Sequence, residues 1–264
     1  MVKISQSLMK AYVDYLQNKE CGLLFQAKYI TKDPEAETPP TDAMKLGIMF
    51  EYLYTGALPK SGKVPEPEMA YKGTARERLA VDYERVQQSS EVFKSILSHY
   101  GIKILQVGMS LEAQNPAMSG VIDIYADWNG EKVFIDTKYT GLIDDKWAET
   151  GWDLESLPMK DSLMVQGVHY KILAQKCLGI EDIPFYYFVF SSKNPKDVKL
   201  IKQTVDESRI AAHLLAVSNT AERLKAEIKT GFAPLPSLKR CSECPISHKC
   251  PSKVDYPLID EIFY

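Results

Sequence analysis

The chain has 264 residues, enough for one large domain or two small ones. Hydrophobic content of 45%, charged content of 25% and a formal net charge of −3 are those of an ordinary soluble globular protein, so any phosphate-binding surface has to be a local basic face. No apolar run approaches the roughly 20 residues of a membrane span, and MVKISQSLMK lacks a signal-peptide core. The expectation is a cytoplasmic protein with no membrane partner, in a reducing compartment where its five cysteines argue for metal ligation before disulfides.

In chain order, Ile4 to Ile30 reads as a helix entered at Ser5 or Ser7. Leu8, Tyr12, Tyr15 and Leu16 stand at helical spacing, and Cys21-Gly22 interrupts the pattern. Thr31 to Thr41, rich in Pro, Glu and Thr, reads as a surface loop. Asp42 to Tyr54 reads as a helix with Asp42 as N-cap, and it carries Glu51, by itself a helix-surface glutamate. Gly56 to Gly73 is a second loop. Thr74 to Tyr100 reads as a long helix whose Arg76, Arg78, Arg85 and Lys94 are interleaved with Glu77, Glu84 and Glu91, the pattern of a solvated face. Ile102 to Gln114 reads as a strand.

Residues 119–138, SGVIDIYADWNGEKVFIDTK, are predicted to form a β-hairpin. Asn129-Gly130 between two apolar runs is a strong type I′ turn signal, because both central residues of that turn need positive φ. With these two as the loop, Trp128 pairs with Glu131 and Asp123 falls opposite Asp136. Opposed residues on one face have Cβ atoms about 4.5–5.5 Å apart. Two carboxylates so placed repel unless a cation lies between them, and oxygen ligation suits Mg²⁺ or Mn²⁺. Lys138 projects from the same face as Asp136 and could orient a water or neutralise charge on a phosphate. The alternative is an exposed hairpin face; Val133-Phe134-Ile135, a run that looks buried on both faces, argues against it.

Thr140 to Lys160 reads as a loop holding Trp147 and Trp152 among acidic residues, as stacking groups or as packing anchors. Ser162 to Leu178 reads as a helix closed by Gly179, with Gln166 and Tyr170 on one face. His169 reads as a packing or surface residue and Cys177 as a small buried hydrophobe. Ile183 to Ser191 and Val198 to Val205 form a second strand pair. Lys193, Lys196, Lys199 and Lys202 around it are a modest cluster, more simply a solubilising edge than a phosphate patch. Asp206 to Lys229 reads as a long helix stopped by Gly231. In the tail, Cys241, Cys244 and Cys250 form C-x2-C-x5-C-P. Three such thiols call for a metal and lack a fourth ligand, which His248 could supply for zinc or Cys21 for a [4Fe–4S] cluster.

Gly120-Val121-Ile122-Asp123 matches a G-x-x-D motif, Asp136-Thr137-Lys138 a D-x-K tripeptide, and Gln166 with Tyr170 a Q-x-x-x-Y pair. Together with one cysteine ahead of these motifs and three behind them, they resemble the RecB-like branch of the PD-(D/E)XK nuclease superfamily, in its iron–sulfur form known from CRISPR-associated and phage-type nucleases. The resemblance runs from Cys21 to Cys250. It implies an α/β fold with a restriction-endonuclease-like core: a mixed central sheet flanked by helices, the metal at the sheet edge, and termini stapled by an Fe–S cluster. Residues 1–264 would form a single domain, divided at about residues 100 and 205 into a helical part, a nuclease core and a C-terminal helix with the cysteine tail. The implied activity is metal-dependent hydrolysis of DNA phosphodiester bonds, of exonuclease type, in recombination, repair or CRISPR-type processing. Asp123, Asp136 and the Thr137 carbonyl would hold Mg²⁺ or Mn²⁺, and Lys138 would position the attacking water. Gln166 and Tyr170 would contact substrate. Glu51 stands where the branch often carries a histidine ligand. Cys21, Cys241, Cys244 and Cys250 would hold the cluster, with Zn²⁺ at the C-terminal cysteines as the alternative. The implied partner is DNA. Without a G-x-x-x-x-G-K-[ST] loop, any helicase would be a separate chain, as would a recombinase or CRISPR adaptation protein. A catalytically inactive nucleic-acid-binding module, or an Fe–S structural subunit of a larger DNA-processing complex, remains open.

Overall fold

The computed structural model describes residues 2–58, 62–64, 69–72, 76–79 and 81–255, with backbone only for 69–72 and 76–79. The chain divides into two compact units: one from residues 1–39, 114–118 and 214–264, the other from 40–113 and 119–213. No helix among the described residues is long and apolar enough to cross a membrane.

The second unit is built on a five-stranded mixed sheet. Its strands are β3 (Ile102–Gln114), β4 (Ala117–Trp128), β5 (Glu131–Thr140), β6 (Phe185–Ser191) and β7 (Val198–Gln203), adjacent in that order. The β4–β5 turn has Asn129 at φ 54° and Gly130 at φ 94°, as a type I′ turn requires. The antiparallel ladder pairs Trp128 with Glu131 and runs in step to Ile124 with Ile135, the register expected from the sequence. Along its other edge β5 pairs in parallel with β6 from Phe134 to Thr140, aligning Asp136 with Tyr187, and β6 pairs antiparallel with β7.

Side-chain alternation assigns the two faces of this sheet. Val133, Ile135, Phe188 and Phe190 join Ile124 and Ala126 in one core, against Met49 and Phe50 of α3 (Asp42–Thr55) and Val86 and Phe93 of α4 (Val81–Tyr100). The intervening positions Phe134, Asp136, Phe185 and Tyr187 face the other way, toward α5 (Asp161–Leu178). β6 is buried on both faces, which is why its sequence, FYYFVFS, shows no polar alternation. α5 ends at Gly179 in the left-handed conformation, φ 68°.

In the first unit, α1 (Gln6–Leu16) is capped by the Ser5 side chain, which accepts from Leu8 N. Phe25 gathers Tyr12, Tyr15, Tyr29 and Phe232 with ring centroids 5.3–5.7 Å away. α6 (Glu207–Thr230) ends at Gly231, φ 90°, and α7 (Leu238–Glu243) carries Cys241.

Several expected elements differ. The helix expected over Ile4 to Ile30 is broken: Ile4 bridges to Met118, α1 stops at Leu16, and α2 (Gly22–Phe25) leads into a wider turn over Gln26–Ile30. Positive φ at Asn18, 56°, ends the first piece, and the second is set by Gly22, where a Cβ would lie 2.3 Å from Ala233 O. Thr41 rather than Asp42 caps α3, because its hydroxyl reaches Met44 N. Arg76 and Arg78 are not on the long helix. Arg76–Leu79 forms β2, antiparallel to β1 (Met69–Lys72), and α4 begins only at Val81. That strand pair arises from backbone pairing across residues 73–75, which lie outside the described residues with the expected start at Thr74.

Candidate metal and hydrolytic site

β4 and β5, the second and third strands of the sheet, supply the carboxylates. Asp136 is 1% exposed. Its Oδ1 accepts from Gln166 Nε2, and its Oδ2 lies 2.6 Å from Lys138 Nζ. Half-buried Asp123 sits where the β4–β5 ladder ends, and its Oδ2 accepts the Thr137 amide at 3.3 Å. The carboxylate thus takes the amide that a further ladder bond would have used.

Burial raises the Asp123 pKa well above the carboxylate range. The Asp136 charge adds to this, and Lys138 opposes both. Burial alone would lower the pKa of Lys138, yet Asp136 and Asp123 outweigh it and hold the ammonium above its ordinary value. Glu51, on the exposed side of α3, adds negative charge felt by both Asp123 and Lys138. Burial beside Asp136 disfavours the charged form of Asp123, and a divalent cation between the two carboxyl groups would favour it. Asp123, Asp136 and the Thr137 carbonyl fit Mg²⁺ or Mn²⁺ by donor chemistry. Among the described residues, no three His, Cys, Asp or Glu side chains are drawn into a ready-made metal cluster.

Gln166 and Tyr170 are placed against the carboxylate strands. Gln166 fixes Asp136, and the buried Tyr170 donates to Val121 O at 2.8 Å, holding β4 two residues before Asp123. Burial, then the Asp136 and Asp123 charges, raises the Tyr170 pKa, so its hydroxyl stays protonated. Gly120 belongs to this contact: a Cβ there would lie 2.6 Å from the Tyr170 ring and 2.8 Å from Leu173 Cδ1. Gly167 likewise lets α5 approach Phe185.

Three polar contacts escaped the sequence reading. Tyr54, one helical turn after Glu51, hydrogen-bonds Thr137 Oγ1 at 2.6 Å; the spacing of Glu51 and Tyr54 was the available signal. Tyr187 donates to Leu163 O at 2.7 Å and ties α5 to the sheet. His169, fully buried, has Nε2 3.0 Å from Ser119 O and Nδ1 3.0 Å from His213 Nε2. A carbonyl only accepts, so His169 carries its proton on Nε2 and His213 donates to Nδ1. Of the two readings, packing or surface, His169 is a packing residue, with a partner 44 positions away. Cys177 is half-buried rather than buried.

In the first unit, Cys21, Cys241, Cys244 and Cys250 line one cavity of about 490 Å³. Burial, helped by the neighbouring thiols of Cys21, Cys250 and Cys241, raises the Cys244 pKa above its ordinary value, against the Ile246 amide contact, which lowers it. Cys21 Sγ accepts from Leu235 N at 3.3 Å. His248 does not line this cavity; its Nε2 lies 3.4 Å from Glu35. By donor type the four thiols suit a [4Fe–4S] cluster, but among the described residues they are not gathered into a ready-made metal-binding group.

No protein-family model and no curated protein matches the chain. Among solved structures, the crystal structure of "Putative exonuclease" from Eubacterium rectale superposes with a TM-score of 0.66 at 16% identity, covering 99% of this chain and 91% of that one. This chain shares that protein's fold. A second structure, SSO0001, has a TM-score of 0.30 at 14% identity over 63% of this chain and 68% of that one, too little to bear on the fold.

Proposed function

We propose that the protein is a divalent-metal-dependent deoxyribonuclease, a RecB-like PD-(D/E)XK enzyme acting as an exonuclease. The observation that carries this reading is Asp136: a carboxylate 1% exposed, held by Gln166 and Lys138, with Asp123 on the adjoining strand. The fold shared with the Eubacterium rectale protein supports it at the level of architecture.

The residues divide the work. Gln166 and Tyr170 fix the two carboxylate strands in place, so their geometry needs little reorganisation when substrate arrives. Lys138, its Nζ 2.6 Å from Asp136 Oδ2, is a positive group beside the carboxylates; it orients the attacking water and neutralises charge growing on the phosphate. Mg²⁺ or Mn²⁺ held by Asp123, Asp136 and the Thr137 carbonyl, with Glu51 as a further candidate ligand, would supply Lewis-acid polarisation of the phosphate. The thiols of Cys21, Cys241, Cys244 and Cys250 are assigned to a [4Fe–4S] cluster of structural role. DNA is the partner, in a recombination, repair or CRISPR-type setting.

The test is to incubate the protein with end-labelled single- and double-stranded DNA in Mg²⁺, Mn²⁺ or EDTA and to resolve the products by size. Metal-dependent shortening from an end is expected. DNA left intact in both metals, on both substrates, would sink the reading.

A further inference from the structure

The segment between β5 and α5, residues 141–160, is a long irregular stretch, and a loop of that length inside a compact unit calls for a reason. It is not loosely held. Lys199 Nζ bonds Ile143 O and Trp152 O at 2.7 and 3.0 Å, and Lys160 Nζ bonds Asp145 O and Gly151 O at 2.9 and 2.7 Å. Asp145 Oδ1 caps the amides of Trp147 and Ala148 at 2.8 and 2.7 Å. Gly151 packs so closely that a Cβ there would sit 2.0 Å from Asp145 O. Trp152 is the packing anchor: 2% exposed, its ring 5.0 Å from Tyr187.

Trp147 is the opposite case, 86% exposed on a backbone that its own neighbours fix. Met159, 85% exposed, lines the same open cavity of about 360 Å³, and Lys146 Nζ lies 4.9 Å from the indole centre. Two large apolar side chains held in water by a braced loop need an occupant that supplies a flat apolar face. The cation beside the indole suits a ligand that also carries negative charge. The cavity also holds Glu149 and Asp161, the latter paired with Arg209 at 3.1 Å, and the hydroxyls of Ser156 and Ser162, so its polar rim mixes donors and acceptors. Ser162 stands one helical turn before Gln166 on α5, about 6 Å along the axis at 1.5 Å per residue. The cavity therefore opens close to the residue that holds Asp136.

We propose that Trp147, backed by Met159 and Lys146, is a stacking platform for an unpaired base of the DNA strand entering the Asp123/Asp136 site. The proposal rests on the nuclease reading for its substrate class. A nucleobase is the occupant that combines a flat apolar face, a mixed hydrogen-bonding edge and an attached phosphate. Paired bases bury their faces in the helix stack, so the platform selects single strands or frayed ends.

The test measures binding of a fluorescent single-stranded oligothymidylate, and of a blunt duplex, in EDTA, where cleavage does not intrude. Trp147→Ala is expected to weaken single-strand binding roughly tenfold, to leave duplex binding unchanged, and to keep the thermal midpoint. Trp147→Phe should restore most of the affinity. An abasic strand of equal length should bind wild type as weakly as the normal strand binds Trp147→Ala. Equal affinity of wild type and Trp147→Ala for the single strand, or no binding by wild type, overturns the platform; equal affinity would leave the patch to a protein partner. Cleavage in Mg²⁺ is scored separately. Binding that depends on Trp147 without cleavage would sustain the platform while the nuclease reading fails; cleavage unaffected by Trp147→Ala together with unchanged affinity would do the reverse.

Discussion

Asp123 and Asp136 lie 13 positions apart on the two arms of one hairpin, whereas Cys21 and Cys241 lie 220 positions apart and share a cavity only through the fold of the first unit. The carboxylates are tightly constrained. Asp136 is held on both oxygens, and Asp123 is tied to the Thr137 amide. Of the thiols, Cys21 accepts the Leu235 amide, and Cys241 is buried. A site made from sequence neighbours is organised by the backbone ladder before any ligand binds. A site made from distant segments has to be drawn together, and a cluster bonded to all four thiols would do that while closing nearly the entire chain. The first site should lose chemistry when broken and keep its fold; the second should lose stability.

The largest effect is expected at the carboxylates. Asp136→Ala should reduce metal-dependent cleavage at least about a hundredfold, with the far-ultraviolet spectrum unchanged. Full activity in that variant, once contaminating nuclease is excluded, would remove Asp136 from the chemistry.

The cysteine pocket gives the converse. Protein prepared without oxygen should be brown and hold iron and sulfide in equal amounts. Cys21→Ser should bleach it and lower its thermal midpoint by several degrees, roughly 4 °C or more per 1 kcal/mol lost in a small unit, whereas Cys177→Ser should do neither. Zinc in place of iron, with Cys21→Ser harmless and His248→Ala damaging, would make the tail a self-contained zinc site.

The buried histidines test how far the carboxylate unit depends on its scaffold. Burial lowers the pKa of His169 and, with His169 beside it, pushes that of His213 down to about 4. The unfolded chain takes up these protons near pH 6.5. The pair's stabilisation is therefore complete above that pH and is lost as pH falls toward 4, by about 3 kcal/mol at most for His213. Urea titrations across this window should show wild type losing stability faster than His213→Gln; parallel curves would mean the pair contributes nothing.

The smallest effect concerns Glu51. Glu51→Gln should raise the metal concentration for half-maximal cleavage a few-fold, on the order of the few-fold to hundredfold effects of perturbing groups around a metal, with DNA affinity unchanged. Superimposable metal titrations would return Glu51 to the helix surface.

The hairpin was legible because its information is local. Asn129-Gly130 sets the turn, the turn sets the register, and the register brings Asp123 to the end of the ladder beside Asp136. The helix stops at Gly179 and Gly231 were legible for the same reason, a left-handed residue following an apolar period. The break after Leu16 was less so, since a close approach between Gly22 and Ala233 leaves no local mark. Nor did the charged Arg76–Leu79 stretch announce a strand, because its pairing with Met69–Lys72 is a backbone matter.

The sequence by itself therefore determined the carboxylate pair, its lysine and the cysteine spacing, since turn chemistry and strand period act over a few residues. Tertiary structure alone decided that Gln166 grips Asp136, that Tyr170 holds β4 rather than facing solvent, that Trp152 is buried while Trp147 stands in water, and that His213 meets His169. Those outcomes depend on which faces pack together, and side-chain packing between elements far apart in the chain has no period that a sequence can display.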